Sequence, residues 1–226
     1  MAQGTQSDTD FTRFLAQAFA CSPETAGVIA ARAAMRGHPS RAVIIRQGDE
    51  VSEAHLLWLG RARAVAYARE GQLVLLQEFH PGDLFGALTG PLDPASAADV
   101  VAIEDSRTAV FLAVEFITLA EQHACVGLAL ARSLTRQLRA ATERMVARTT
   151  LTAAGRIHAE LLRLADLADG RSIRPAPVLA ALAQRVQTTR ETASRTVNAL
   201  ERRGIVRREG ETMVIVARTR LEDLVV

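Results

Sequence analysis

Between Phe11 and Phe19 the apolar side chains Phe11, Phe14, Leu15, Ala18 and Phe19 recur at intervals of three and four, the spacing of a helix with one buried face. Ser22-Pro23-Glu24 then has the order of an N-cap, a first-turn proline and a first-turn acid. It predicts a second helix ended by Gly37-His38-Pro39, so residues 11–37 read as helical. From Ala42 to Leu112 the pattern changes to short apolar runs: Ala42-Ile45, His55-Leu59, Arg61-Tyr67, Leu73-Phe79, Val100-Ile103 and Thr108-Leu112. Turn signals divide them at Gln47-Gly48-Asp49, Gly60, Glu70-Gly71, His80-Pro81-Gly82-Asp83, Gly90-Pro91 and Asp105-Ser106. Many short strands so divided predict a sandwich or barrel, here a β-roll of the jelly-roll type.

From Val114 to about Ala168 the pattern is helical again and free of proline. Within it Ala124, Gly127, Ala131, Leu134, Leu138, Ala141 and Met145 follow one another at heptad-like spacing with one stutter, while arginines and a glutamate lie off this seam. A helix pairing with its twin in a parallel dimer has this pattern. So does a helix packed on its own β-roll, and the two readings can hold together. Residues 169–177 read as a turn or linker. Val178–Val186 is a short helix, Gln187-Thr188-Thr189 a turn with an N-cap candidate, and Arg190–Arg203 a second helix closed by Gly204. Ile205–Arg208 and Met213–Val216, joined through Glu209-Gly210-Glu211, form a hairpin. Helix, short turn, helix and hairpin is a winged helix-turn-helix. The expected fold class is α+β: a sensor over residues 1–122, a long dimerisation helix over 123–150 and a DNA-binding domain over 151–226.

The 226 residues, 49% hydrophobic and 23% charged, provide a sizeable core for one large or two small domains and argue against a mainly disordered chain. No apolar run approaches the length of a membrane span. The polar start, with Asp8 and Asp10 and no basic residue before them, lacks the form of a secretory signal, so the expected location is the cytoplasm, with no membrane partner. Cys21 and Cys125, the only cysteines, exclude a disulfide framework, a CxxC motif and a four-cysteine cluster, and read as buried or partly buried thiols. All 27 basic residues are arginine, which with the abundance of alanine suggests a compositional bias. Charge divides unevenly. Residues 1–120 hold 9 Arg and 14 acids, a net of −5, and residues 121–226 hold 18 Arg and 11 acids, a net of +7. The C-terminal half therefore suits an anionic partner.

The second helix of a helix-turn-helix enters the major groove by its N-terminal end. Here that end reads Thr188-Thr189-Arg190-Glu191-Thr192-Ala193-Ser194-Arg195. Positions 190, 191, 194 and 195 share one face. Arg190 and Arg195 can each donate two parallel hydrogen bonds to guanine, and Glu191 can accept from cytosine N4 and also hold Arg195 one turn on. Ser194 is short enough to read a base edge or meet a thymine methyl. Thr188 and Thr189 stand where hydroxyls and helix-start amides hold phosphate. Val197, Leu200 and Ile205 form the buried side. Residues 180–220 carry 9 Arg and 4 Glu, with Arg207 and Arg208 on the wing.

At this point residues 40–225 resemble the cyclic-AMP receptor / fumarate-nitrate-reduction regulator (Crp/Fnr) family. The resemblance lies in Ile45-Arg46-Gln47-Gly48-Asp49, His80-Pro81-Gly82-Asp83-Leu84-Phe85-Gly86, Ala154-Gly155-Arg156-Ile157, Leu161-Leu162-Arg163-Leu164-Ala165 and, most strongly, Thr189–Arg195 followed by Leu200–Val206. It implies a homodimeric transcription factor on double-stranded DNA, reading an inverted repeat, with Glu191 and Arg195 on the G·C-containing core of each half-site and RNA polymerase as partner if it activates. Members with Arg at position 190 tend to read an additional G, and members with Ser at 194 tend to favour a TTGA-like half-site. This chain has both.

The resemblance also implies what the sensor has lost. Cyclic-nucleotide-binding members place Gly-Glu-Leu in the roll, with Arg-Ser or Arg-Thr about ten residues later; the Glu accepts from the ribose hydroxyl and the Arg neutralises the phosphate. This chain has Gly86-Ala87-Leu88 and Ala95-Ser96-Ala97-Ala98. Losing a charged partner there costs roughly 2–5 kcal/mol, so no cyclic-AMP binding is expected. Cys21 alone in the N-terminal region predicts no iron–sulfur cluster, and the candidate axial ligands His38, His55, His80, His123, Cys125 and Met145 have no diagnostic spacing, so no haem is expected. The effector-pocket candidates are Gly86, Ala87, Leu88, Ser96, Ala97 and Thr142. Arg61, Arg63 and Arg69 are expected mostly to face solvent, with some as candidates to line the pocket. No histidine cluster, Ser-His-Asp set or carboxylate pair predicts catalysis, so an enzyme is not expected. The rival reading is a ligand- or partner-binding roll with a vestigial helix-turn-helix.

Overall fold

The computed structural model describes residues 2–67, 73–89 and 95–226. Arg69 and the turns at Glu70-Gly71 and Gly90-Pro91 lie outside the described residues. Two compact units divide between Ala141 and Thr142.

The first unit opens with α1 (Ala2–Phe19) and α2 (Pro23–Ala30). Ser22 caps α2 by accepting from the Thr25 amide at 3.2 Å, with Pro23 and Glu24 in its first turn. Among the described residues eight strands follow: β1 (Ala34–His38), β2 (Val43–Ile45), β3 (Glu53–Leu59), β4 (Ala62–Tyr67), β5 (Leu73–Phe79), β6 (Leu84–Gly86), β7 (Asp99–Ala102) and β8 (Ser106–Leu112). They form two antiparallel sheets, in the orders β1-β8-β3-β6 and β2-β7-β4-β5. The alternation of each strand sends its two faces to different cores. Leu57, Ala64, Phe79, Phe85 and Val100 fill the roll, while Ala54, Leu56, Leu84, Ala109 and Phe111 pack against helices.

One expectation is corrected here. Residues 34–38 are strand, not helix: β1 pairs with β8 from Ala34↔Val110 to His38↔Ser106. Locally Ala-Ala-Met-Arg favours helix, but the otherwise open edge of β8 provides a ladder of hydrogen bonds, and Arg36 finds Glu53 on β3. The stretch after Val114 is helical, as expected. It divides into α3 (Ala113–Gln122), α4 (Ala124–Thr150) and α5 (Ala153–Asp166). The chain bends by 114° between α3 and α4, and Thr152 caps α5 by accepting from the Gly155 amide. Among the described residues no single helix is long and apolar enough to cross a membrane.

α4 packs on the roll through Val126, Ala129 and Ser133. The Ser133 hydroxyl accepts from the Leu84 amide, Gln137 donates to the Leu84 carbonyl (2.9 Å), and Arg136 pairs with Asp83 (3.0 Å). The His80–Asp83 turn and β6 are thereby fixed to the helix.

In the second unit α5 is followed by β9 (Ser172–Ile173), α6 (Leu179–Arg185), α7 (Arg190–Arg202), β10 (Val206–Glu209), β11 (Thr212–Ile215) and α8 (Arg218–Glu222). Residues 169–177, expected to be a turn or linker, contribute β9 as a third strand on β11. Asp169 sets its start by accepting from the amides of Arg171 and Ser172, which hold its carboxyl below the usual range. One core joins Ile157, Leu161, Leu182, Val186, Val197, Leu200, Ile205, Met213 and Leu221.

Candidate nucleic-acid interface

The start of α7 is built by its own sequence. Thr189 is the N-cap, its hydroxyl accepting from the Thr192 amide at 3.2 Å. The amides of Arg190 and Glu191 are among those an α-helix leaves without an internal acceptor, and they suit an anion. Every third or fourth residue, Ala193, Val197 and Leu200, is buried, which turns the opposite face outward. Arg190, Glu191 and Arg195 are exposed; Thr188 and Ser194 are half-buried beside them. Gly204, with φ of 64°, ends the helix in the left-handed conformation that glycine adopts without strain.

The predicted contact residues thus share one accessible face, with two differences of detail. Arg195 donates to the Thr192 hydroxyl (3.4 Å) rather than to Glu191. On the wing Arg207 pairs with Glu209 (2.5 Å) and Arg208 with Glu201 (3.9 Å).

Sequence reasoning missed the residues that hold the turn between α6 and α7. Arg156 on α5 donates through Nε to the Val186 carbonyl (2.9 Å) and through Nη2 to the Gln187 carbonyl (3.5 Å). Gln187 itself is left-handed, with φ of 53°. Glu160 accepts from Arg163 and from Arg185, joining α5 to α6. An arginine and a glutamate four apart on the amphipathic α5 were the visible signal.

The seam residues Ala131, Leu134, Leu138, Ala141 and Met145 are all exposed on α4. Leu138 is 69% and Met145 63% exposed, whereas Val126, Ala129 and Ser133 of the same helix are buried.

The sensor candidates are arranged without a charged group among them. Gly86 has φ of 91°, and a side chain there would collide with the Glu53 carbonyl (2.4 Å), so the chain hugs β3 at this point. Ala87 is fully buried and its amide donates to the same carbonyl (2.9 Å); Leu88 is buried too. Ser96 donates its hydroxyl to the Ala98 carbonyl at 2.7 Å, and Ala97 is exposed. Thr142 is exposed on α4, in the second unit. Arg61 pairs with Glu104 (3.0 Å), and Arg63 is half-buried on β4. Beside Gly86 lies a polar cluster that the sequence did not reveal. Arg36 donates to both oxygens of Glu53 (2.7 and 2.9 Å), holding that carboxyl below its ordinary range. The buried His55 stacks on Phe85, and burial lowers its pKa to about 4. His38 shares a hydrogen bond with Thr108 (2.9 Å), and burial, then the Arg36 charge, push it down. Among the described residues no group of three or more His, Cys, Asp or Glu is placed to hold a metal ion.

A β-roll, a long helix and a winged helix-turn-helix with an exposed arginine-bearing second helix define a DNA-binding regulator with a sensor domain. Comparison with known proteins agrees. Residues 36–123 match the cyclic nucleotide-binding domain family, and residues 155–224 the Crp-like helix-turn-helix domain family. The chain is 30% identical over 191 residues to the cyclic AMP receptor protein of Thermus thermophilus, covering 84% of this chain and 87% of that protein. The solved structure of FixK2 from Bradyrhizobium japonicum superimposes with a TM-score of 0.71 at 22% identity, covering 85% of this chain and 96% of that one. A 30% identical match to lysophospholipase nte1 of Aspergillus fumigatus covers 46% of this chain but 7% of the enzyme, and is confined to the cyclic-nucleotide-binding domain. The chain belongs to the Crp/Fnr family of transcription regulators, a family of non-enzymes.

Proposed function

We propose that the chain acts in the cytoplasm as a homodimer that reads an inverted repeat in double-stranded DNA, with a sensor not built for cyclic AMP. The observation that carries this reading is the start of α7: an exposed Arg190, Glu191 and Arg195 on a helix locked from behind by Ala193, Val197 and Leu200. Arg190 and Arg195 donate to guanine, Glu191 accepts from cytosine, and Ser194 meets a base edge. Thr188, Thr189, Arg207 and Arg208 hold phosphates and fix the register.

The exposed Leu134, Leu138 and Met145 support pairing of α4 with a second copy, since a row of large apolar side chains on a long helix gains by leaving water. Both half-sites are then read together only when the two α7 helices match one turn of DNA, about 34–36 Å. An effector acts by shifting the population between matched and unmatched geometries. If the protein activates, RNA polymerase is the further partner.

The residues present do not fit a cyclic nucleotide. Ala87 offers a buried methyl where the family has a carboxylate, Ser96 spends its hydroxyl on Ala98, and the Ala97 side chain has no polar atom to place against phosphate. Domain limits of 1–122, 123–150 and 151–226 accompany this proposal.

Arg195→Ala tests the base-reading role. Specific binding should weaken by about 1–3 kcal/mol per lost bidentate contact, roughly 5- to 150-fold, leaving a salt-sensitive non-specific component. Equal losses in specific and non-specific affinity would remove Arg195 from base readout.

A further inference from the structure

Ser194 and Arg195 do not complete the outward face of α7. Asn198 is exposed one turn further on, three residues from Arg195 and four from Ser194, the spacings that make helical side chains neighbours. At about 100° per residue it lies only about 20° around the axis from Glu191. Glu191, Arg195 and Asn198 therefore form one row, opposite the buried Ala193, Val197 and Leu200. Asparagine gives the helix little. It ranks well below alanine, glutamate and arginine as a helix former, and this one stands at neither end of Arg190–Arg202. Its amide is also almost uncommitted. Nδ2 donates to the Ser194 hydroxyl over a long 3.5 Å, and among the described residues Oδ1 has no partner. One Nδ2 hydrogen and Oδ1 are left for a ligand.

We infer that Asn198 is a specificity-determining residue that reads adenine, adding one base position to each half-site. The inference rests on the proposed seat of α7 in the major groove. A primary amide presents a donor and an acceptor side by side, and the groove edge of adenine presents their complement. Nδ2 donates to N7, and Oδ1 accepts from the N6 amino group. Guanine offers two acceptors at that edge, cytosine a donor and thymine an acceptor beside a methyl, so none of them satisfies both amide atoms. Asn198 is eight residues beyond Arg190, about 12 Å along the axis at about 1.5 Å per residue. Bases stack at about 3.4 Å, so Asn198 meets a different base from the one that Arg190 reads. The contact with Ser194 sets these two short side chains against neighbouring positions of the half-site.

The test is selection of binding sites from random duplex DNA by the native chain and by Asn198→Ala, a substitution that an exposed helix position favours. The native motif should carry an adenine preference at one position of each half-site, and Asn198→Ala should lose it there and keep every other position. In competition titrations the native chain should prefer the selected site over one with guanine at that position by about 5- to 150-fold. The variant should show a preference close to one. The same motif from both proteins, or a loss of selectivity at all positions alike, would overturn the role of Asn198 alone. If the native chain enriches no sequence, the groove-reading role of α7 itself falls, and that of Asn198 with it.

Discussion

Acidifying the protein should destabilise its first unit through His55. The ring is 1% exposed and stacked on Phe85 with centroids 5.1 Å apart. The groups facing it are the Glu53 carboxylate at 3.8 Å on its own strand and, from β1, Arg36 and His38; Val110 on β8 and Phe85 on β6 are its ladder partners. Glu53 favours the charged ring, but burial dominates and lowers the pKa from 6.5 to about 4. The folded protein therefore keeps His55 neutral while the unfolded chain takes up a proton below about pH 6.5. The stabilisation is complete above that pH, is lost as pH falls from about 6.5 to about 4, and changes no further below. A difference of about 2.5 units at 1.36 kcal/mol each amounts to about 3 kcal/mol. Glu53, held down by Arg36, adds a loss in the same direction at still lower pH. Trp58 is the only tryptophan and packs against the apolar cluster of this unit, so its fluorescence during urea unfolding reports the unit directly. His55→Phe keeps an aromatic ring beside Phe85 and removes the titration. The native protein should lose about 3 kcal/mol more than this variant between pH 7 and pH 4. Parallel loss in both would refute the assignment to His55.

Leu138→Asp places a carboxylate in the exposed seam of α4, and the molar mass in solution should fall from dimer to monomer with the fold of the first unit kept; an unchanged dimer mass would remove Leu138 from the interface. Calorimetry with cyclic AMP should show no binding in the nanomolar or low micromolar range, since the loss of a charged partner from such a site costs roughly 2–5 kcal/mol. A low micromolar affinity would mean that other residues supply what Ala87 and Ala97 lack.

The sequence made visible the elements whose local chemistry agrees with their tertiary role. The N-cap at Thr189, the buried series Ala193, Val197 and Leu200 and the glycine at 204 all point to one helix, and α7 starts where they place it. The roll was legible because its strands alternate and its turns carry glycine, proline or aspartate. Where local preference and tertiary demand disagree, the sequence misleads. β1 is written in residues that favour helix and is a strand because β8 has an edge to fill. β9 is two residues long and has no pattern of its own; only β11 makes it a strand. The Arg36–Glu53–His55 cluster and the grip of Arg156 on the α6–α7 turn join residues distant in sequence, so spacing could not show them.

Selection of binding sites from random duplex DNA, with the purified protein and no added ligand, tests the central claim most directly. An enriched inverted repeat with a G-A core and half-site centres about one helical turn apart is the predicted result. Failure to enrich any sequence, or enrichment of a lone half-site, would contradict a homodimer that reads DNA through paired α7 helices.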